Sequence, residues 1–371
     1  MGARRSLAAE ESAAGVLNFG VVGLGYWGPN LLRVLAETSD VQVRWICDRD
    51  RQRLERFQTR YPAALATNRI DDILDDPAVD AVVIATPVFT HYSLASRALS
   101  AGKHTFVEKP LARSPAEAEE LVRLARSSAL VLMCGHTFVY SPPVRAVKSL
   151  LGRGELGDIY FVSSCRVNLG LHQRDVSVIR DLAPHDFSIL LYWFEEVPEV
   201  IRAVGRDSIV KGIPDVAFIT MMFPSGVLAN VELSWLAPSK LRRTAVVGSK
   251  KMVVYDDTST EPIRIFDHGV VYEDPETFGQ YHLSYRTGDI VSPKLDTAEP
   301  IVVEMEDFVA SIRAGAPNDA HLDLAVDVVR LVEAAEGSLR NGGIQVQPNG
   351  FGPIDGEQLA LASMRDVRDG G

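Results

Sequence analysis

Two stretches of the sequence place an acid close to a base and could act on a hydroxyl group. In "FVEKPLA", an apolar run that predicts a buried strand ends directly in Glu108, Lys109 and a proline. The proline restricts Lys109 to an extended conformation and so helps to hold it in one orientation. A lysine held in this way could hydrogen-bond a reacting hydroxyl and stabilise charge on its oxygen. In "RDLAPHDFSILLYW", Asp181 and His185 stand four residues apart, and the ordinary pKa of histidine suits proton exchange near neutrality. Lys109, Asp181 and His185 are therefore the catalytic candidates.

An ordinary structural interpretation competes with each of these. A charged pair at the end of a strand is commonly solvated, and an aspartate before a helix can be only its N-cap. We expect Pro184 to start a helix in the second stretch, because proline is favoured in the first helical turn. Asp181 and His185 would then bracket the start of that helix, or face one pocket as an i,i+4 pair. The elements around them decide between these interpretations.

Up to about residue 137, short apolar runs alternate with amphipathic segments. The runs "FGVVGLG", "VQVRWICD", "AVVIAT", "KHTFVE" and "ALVLMCG" predict strands, and segments with helical spacing separate them. Apolar strands alternating with helices predict a parallel sheet covered on both faces. We therefore predict an α/β protein whose residues 18–137 form a doubly wound Rossmann domain.

After this point strands follow one another without helices between them. A Pro-Ser-Gly turn joins two such runs in "MMFPSGVLANVEL", which is a hairpin signal. Residues 138–345 are therefore predicted to form an α+β substrate domain with a mostly antiparallel open sheet. Residues 1–17 are predicted to be a disordered extension, and residues 346–371 a C-terminal tail.

The segment "GLGYWG" is a GxGxxG turn between the first predicted strand and the first predicted helix. Gly23, Gly25 and Gly28 would provide the tight turn, the close approach to a pyrophosphate and the helix–strand contact of a dinucleotide site. Asp48 ends the second strand 20 residues after Gly28, where an acid can bind ribose hydroxyls. NAD is therefore favoured as cofactor, although NADP stays open because the adjacent Arg49 could pair with a 2′-phosphate.

The segment "ATPVFTH" follows the third predicted strand. Since the carboxyl ends of parallel strands share one edge of a sheet, its side chains could reach the same nucleotide crevice. A Thr-Pro pair is equally a good turn, and the histidine could simply begin a helix. The cofactor-binding candidates are Gly23, Gly25, Tyr26, Trp27, Gly28, Asp48, Arg49, Thr86, Pro87, His91, Glu108 and Lys109.

Composition excludes several other classes of protein. The net charge is −11 without a basic run, which argues against nucleic acid and anionic membranes as partners. No segment approaches the about 20 apolar residues of a membrane span. The three cysteines lack CxxC spacing and the histidines lack HxH or HExxH spacing, so no metal site is predicted. We expect a cytoplasmic protein with reduced thiols.

Five segments together resemble the glucose–fructose oxidoreductase/inositol dehydrogenase/MocA (Gfo/Idh/MocA) family of NAD(P)-dependent sugar dehydrogenases. They are "GLGYWG", "ATPVFTH", "AGKHTFVEKPL", "GRGELGDI" and "RDLAPHDFSILLYW", and the resemblance extends from about residue 18 to 345. It implies that Lys109 contacts cofactor and substrate, that His185 is the acid–base residue and that Asp181 binds or activates the substrate. Ala183 stands where the family motif Asp-x-Gly-x-His has its glycine.

The resemblance also bears on substrate and assembly. "GYWGPN" and "DLAPHDFSILLYW" are most similar to UDP-N-acetylglucosaminuronate 3-dehydrogenases, which implies oxidation of a nucleotide-linked sugar at C3. The alternatives are a ketosugar reductase of deoxysugar biosynthesis, an inositol or free-sugar dehydrogenase, and an NAD-binding sensor without turnover. Tyr140, Arg166 and Asn168 could contact a polyhydroxylated substrate, or be ordinary junction and strand residues. Because family members assemble through the second-domain sheet, a homodimer or homotetramer is expected.

Overall fold

A computed structural model shows that the chain folds into two compact units. Unit 1 contains the described residues up to Tyr140 together with Ala298–Val329. Unit 2 contains Ser141–Thr297 together with the described residues from Arg330 onward. The structure describes residues 15–170, 176–273, 282–315, 319–348 and 350–353.

Strands and helices are numbered in chain order. Most of the predicted extension 1–17 and of the predicted tail 346–371 lies outside the described residues. The strands are β1 Leu17–Val22, β2 Val41–Cys47, β3 Leu65–Thr67, β4 Ala81–Ile84, β5 His104–Glu108, β6 Leu132–Gly135, β7 Ile159–Leu169, β8 Val200–Arg206, β9 Val216–Met222, β10 Leu228–Ser234, β11 Leu236–Gly248, β12 Met252–Asp256, β13 Ile263–Glu273, β14 His282–Val291, β15 Val346–Gln347 and β16 Gly350–Pro353. The helices are α1 Gly28–Glu37, α2 Arg51–Arg60, α3 Asp71–Leu74, α4 His91–Ser100, α5 Pro115–Ser127, α6 Pro142–Gly152, α7 Val178–Phe194, α8 Pro300–Ala314 and α9 Asp319–Arg340.

The sheet of unit 1 consists of six parallel strands in the order β3-β2-β1-β4-β5-β6. All residues of β4 and β6 are buried, as expected of a parallel sheet covered on both faces. The strand order reverses between β1 and β4, which is where ligands bind in doubly wound folds. The predicted Rossmann architecture is confirmed.

Residues 298–329 pack in unit 1, although the order of predicted strands and helices places them in the predicted second domain, 138–345. These residues belong to unit 1 because α8 packs against its sheet. The ring centroid of Phe308 on α8 lies 6.0 Å from that of Phe19 and 5.7 Å from that of Phe106. A helix that returns to an earlier sheet leaves no local signal in the sequence. The domain boundaries drawn from the sequence remain a prediction.

The sheet of unit 2 is open and mostly antiparallel, in the order β14-β13-β12-β11-β7-β10-β9-β8-β15-β16, with β7 and β10 parallel. Burial alternates along β9, where Ala217, Ile219 and Met221 are buried while Phe218 and Met222 are exposed. One face of this part of the sheet therefore belongs to the core and the other is exposed. The predicted α+β architecture with a mostly antiparallel sheet is confirmed.

Helix α7 begins at Val178, so the expectation that Pro184 starts this helix is wrong. Ser177 is the N-cap, because its Oγ accepts a hydrogen bond from the backbone N of Arg180 at 3.2 Å. Asp181 lies in the first turn and is not the cap. Pro184 lies inside the helix, where it has no N–H to donate to the carbonyl group of Arg180.

Candidate active site

The glycine turn after β1 has the geometry that a dinucleotide requires. Gly23 has a φ of +94°, and a Cβ there would lie 2.5 Å from the carbonyl oxygen of Ala85, so only glycine fits. A Cβ on Gly28 would lie 1.9 Å from the carbonyl oxygen of Gly23. Gly25 differs, because the nearest atom to a Cβ there is Nη1 of Arg53 at 3.9 Å. The space beside Gly25 is open, so this turn fits the pyrophosphate of NAD.

Asp48, the predicted ribose-binding acid, also holds the glycine turn in place. Its Oδ2 accepts a hydrogen bond from Leu24 N at 2.7 Å, and its Oδ1 accepts one from Asp50 N at 2.8 Å. Arg49 is exposed, whereas Nη1 of Arg53 lies 3.8 Å from Asp48 Oδ2. Arg49 is the only cation predicted for this site from the sequence, and the structure adds Arg53. The position of Arg53 in the first turn of α2 was the available signal.

The other residues of the turn differ in exposure. Tyr26 is largely exposed and Trp27 partly so, and their rings meet edge to face at 5.7 Å between centroids. Each therefore has ring surface that a ligand could contact. Their assignment as cofactor contacts stays a prediction.

His91 is 1% exposed and connects the loops that follow β4 and β5. Its Nε2 lies 2.7 Å from the carbonyl oxygen of Thr86, and its Nδ1 lies 2.8 Å from that of Pro110. Burial lowers the pKa of His91, so the ring is neutral and donates to one of these oxygens at a time. Thr86 Oγ1 also pairs with Thr90 Oγ1 at 2.7 Å, and Pro87 beside it is exposed. The ring of His91 thus holds two loops together, and cofactor contacts by this segment stay a prediction.

Glu108 and Lys109 lie at the carboxyl end of β5, as the sequence predicts. Burial raises the pKa of Glu108 to about 7, against the opposing effect of the Lys109 charge. The backbone N of Lys109 donates to Glu108 Oε2 at 3.1 Å, its side chain is half-buried, and its peptide bond to Pro110 is cis. A carboxyl group that titrates near neutrality beside a lysine is suited to proton exchange.

Further polar side chains of unit 1 follow β6. His136 is buried, and burial lowers its pKa to about 3, which keeps the ring neutral. Thr137 Oγ1 donates to Glu304 Oε2 at 2.7 Å, and the hydroxyl of Tyr140 donates to Asp307 Oδ2 at 2.6 Å. Tyr140, a substrate-binding candidate, is therefore buried and bonded to α8. Glu304 and Asp307 are not predicted from the sequence, since each lies 167 residues from its partner.

The predicted acid–base pair of unit 2 lies on one half-buried face of α7. Asp181 and His185 are half-buried, whereas Ala183 and Asp186 are buried. The structure therefore favours the i,i+4 arrangement over a pair that brackets a helix start. Oδ2 of Asp181 accepts a hydrogen bond from Trp235 Nε1 at 3.1 Å. A carboxylate and an imidazole on one face can bind a hydroxyl and accept its proton.

Arg166 and Asn168 lie on β7 in different environments. Arg166 is buried, and its Nε donates to Asp186 Oδ2 at 2.5 Å, while Asp186 Oδ1 accepts from Ser164 Oγ at 2.8 Å. This buried ion pair joins the sheet to the residue next to His185. Asn168 is half-buried, and its Oδ1 has no hydrogen-bond partner among the described residues. Substrate contacts by Arg166 and Asn168 stay predictions.

The described residues contain neither a metal-ligand cluster nor a membrane-spanning helix. No cluster of three or more His, Cys, Asp or Glu side chains suited to a metal ion occurs in the ranges given above. None of the helices seen there has the length and apolar character to cross a membrane. Cys47, Cys134 and Cys165 are free thiols.

Two family models match the chain on either side of the change in fold. "Oxidoreductase family, NAD-binding Rossmann fold" matches residues 17–136, and "GFO/IDH/MocA C-terminal domain" matches residues 144–254. The chain belongs to the Gfo/Idh/MocA family. The predicted family and the NAD cofactor are thereby confirmed, and the chain is an NAD-binding oxidoreductase. When bound, NAD supplies the hydride acceptor or donor, and the turn at Gly23, Gly25 and Gly28 would hold its pyrophosphate.

Relatives within this family have different activities. A 2,7-anhydro-N-acetylneuraminate hydratase of Escherichia coli is 26% identical over 58% of this chain and 61% of its own length. A UDP-N-acetylglucosamine 3-dehydrogenase of Acidithiobacillus ferrooxidans is 26% identical over 80% of this chain and 89% of its own. The crystal structure of GenD2 from gentamicin A biosynthesis, in complex with NAD, is 25% identical with a TM-score of 0.77, covering 91% of this chain and 97% of that one.

Proposed function

We propose that this enzyme oxidises a ring hydroxyl of a sugar, at C3 of a nucleotide-linked sugar. The observation that carries the proposal is the half-buried face of α7, where Asp181 and His185 stand together. His185 accepts the proton of the reacting hydroxyl, because histidine is the residue type whose ordinary pKa suits this exchange. Asp181 binds that hydroxyl and orients it toward the imidazole. Lys109 polarises the oxygen as it becomes a carbonyl.

The relatives support the sugar substrate in different degrees. The UDP-N-acetylglucosamine 3-dehydrogenase favours C3 of a nucleotide sugar, and its match covers most of both chains. The hydratase points to a second candidate function, in which the substrate and the final product have the same oxidation state. With this chain, such a reaction would give an NADH absorbance band that rises and decays within one turnover, whereas oxidation leaves the band in place.

A single-turnover experiment tests this proposal. Enzyme with stoichiometric NAD is mixed with UDP- and TDP-sugars, free hexoses and inositols, and the NADH band is followed. We expect a stable band with one nucleotide sugar, lost in His185→Ala and kept in His268→Ala, which changes a histidine on β13. A band with free hexoses or inositols alone would contradict the substrate class. Absence of any band from an NAD-loaded enzyme would contradict oxidation.

We further propose that the exposed face of the unit 2 sheet joins two copies of the chain. Phe218 is 45% exposed and pairs in register with Val204, while Met222 pairs with Leu228, and all four are exposed apolar residues on one face. Phe218→Lys is therefore expected to shift a homodimer or homotetramer to smaller species in light scattering coupled to size-exclusion chromatography. Leu65→Lys, at an exposed position of β3, should leave the mass unchanged. Wild-type monomers would contradict this interface.

A further inference from the structure

The residue between β10 and β11 is a tryptophan that is bonded to the proposed substrate-binding acid. Trp235 is 1% exposed, and its indole Nε1 donates to Asp181 Oδ2 at 3.1 Å, although 54 residues separate the two in sequence. A hydrogen bond to one carboxylate oxygen restrains the rotation of that carboxylate and so the directions in which its lone pairs point.

The indole itself is held on several sides. The backbone N of Trp235 donates to the carbonyl oxygen of Asp215 at 3.0 Å, and its own carbonyl oxygen accepts from Gly170 N at 3.0 Å. The ring covers Gly170 so closely that a Cβ on this glycine would lie 2.8 Å from Trp235 Cδ1 and 3.0 Å from Asn168 Oδ1. The donor is thus packed in one position before any substrate binds.

We propose that Trp235 is a positioning residue that orients the carboxylate of Asp181 for the reacting hydroxyl of the substrate. The inference rests on the proposed function, in which Asp181 binds that hydroxyl beside His185. The indole N–H is held by packing and by the backbone bonds of Trp235. It therefore orients the Asp181 carboxylate before the substrate binds, and the carboxylate need not be ordered anew in each turnover. Trp235 therefore acts through Asp181 and does not itself touch the substrate.

A double-mutant cycle tests this route. Trp235→Phe keeps most of the ring volume and removes the N–H, and we expect kcat to fall about 10- to 100-fold with a smaller change in KM. In an Asp181→Asn background, Trp235→Phe should have almost no further effect, because the group through which it acts is already altered. Equal effects of Trp235→Phe in both backgrounds would overturn the proposal.

Two further variants separate positioning from packing. Trp193 is the matched control, since it is also buried and its indole Nε1 donates to the carbonyl oxygen of Val144 at 2.9 Å. Trp193→Phe should keep kcat near the wild-type value. Gly170→Ala keeps every polar group but its Cβ presses on the indole and on Asn168 Oδ1. The part of its loss in kcat that comes from the indole should disappear in Asp181→Asn. A wild-type kcat in Gly170→Ala would count against the proposal.

A spectroscopic readout distinguishes failure of this inference from failure of the proposed function. The indole ¹H–¹⁵N resonance of Trp235, assigned by its loss in Trp235→Phe, should shift in Asp181→Asn, whatever reaction the enzyme catalyses. An unchanged resonance would overturn the contact and the inference with it. A shifted resonance with unchanged kcat in Asp181→Asn would instead overturn the role of Asp181 in the proposed function, and the positioning role that depends on it.

Discussion

Replacing Lys109 by alanine is expected to lower kcat by about 100- to 1000-fold, the range seen when one donor to a developing oxyanion is removed. Lys109 directly follows the carboxyl end of β5, its side chain is half-buried, and the adjacent Glu108 is buried. A cation at this edge of the sheet can polarise a substrate oxygen, and no other lysine follows a strand of this sheet directly. Single-turnover absorbance of the NADH band gives the rate.

The control for this prediction is Lys109→Arg. It keeps the positive charge but replaces a compact ammonium by a planar, larger group, so we expect NAD binding to persist with only partial activity. The NAD affinity of each variant, measured by calorimetry, shows whether the loss lies in binding or in the chemical step. A Lys109→Ala enzyme with the wild-type kcat would contradict the role proposed for this residue.

Removing one partner of the buried pair Arg166–Asp186 is expected to lower the free energy of unfolding by about 3–5 kcal/mol. The side chains are 5% and 2% exposed, and Asp186 also accepts a hydrogen bond from Ser164. Asp186→Ala therefore removes the counter-charge of a buried guanidinium. Water cannot take the place of the lost carboxylate without opening the sheet. Chemical denaturation of the NAD-free chain measures the change.

Two comparisons test the physical reason for this loss. The double variant Arg166→Met/Asp186→Leu should recover most of the stability, because apolar side chains of similar volume need no counter-charge. Glu120→Ala breaks the exposed pair with Arg123 and should have little effect. If Asp186→Ala is no less stable than Glu120→Ala, the pair does not hold α7 on the sheet.

Local patterns in the sequence account for the first sheet and the glycine turn. Gly23 and Gly28 are dictated by backbone approaches within a few ångströms, and the spacing to Asp48 follows from the length of one helix and one strand. The start of α7 could not be read in the same way. Pro184 is a strong local signal for a helix start, but Ser177 provides a better cap, and buried packing tolerates the proline inside the helix.

Contacts between distant segments could not be predicted from local spacing. Nothing in the local pattern of β7 distinguishes Arg166 from its neighbours in the strand. Its contact with Asp186 in the interior depends on how β7 pairs with β10 and β11. The bond between Tyr140 and Asp307 and that between Trp235 and Asp181 likewise depend on elements far apart in the chain. Trp235 is a buried residue, as an apolar ring in a strand-rich segment commonly is, but local spacing does not show what its N–H contacts.

The most direct test of sugar oxidation is the transfer of a labelled hydrogen. UDP-N-acetylglucosaminuronate carrying deuterium at C3 is incubated with stoichiometric enzyme and NAD, and the nicotinamide product is analysed by mass spectrometry. The proposed reaction predicts NADH with one deuterium, at a rate that His185→Ala strongly reduces. NADH without deuterium would place the reacting carbon elsewhere on the sugar, and no NADH from an enzyme that binds both compounds would contradict the proposed oxidation.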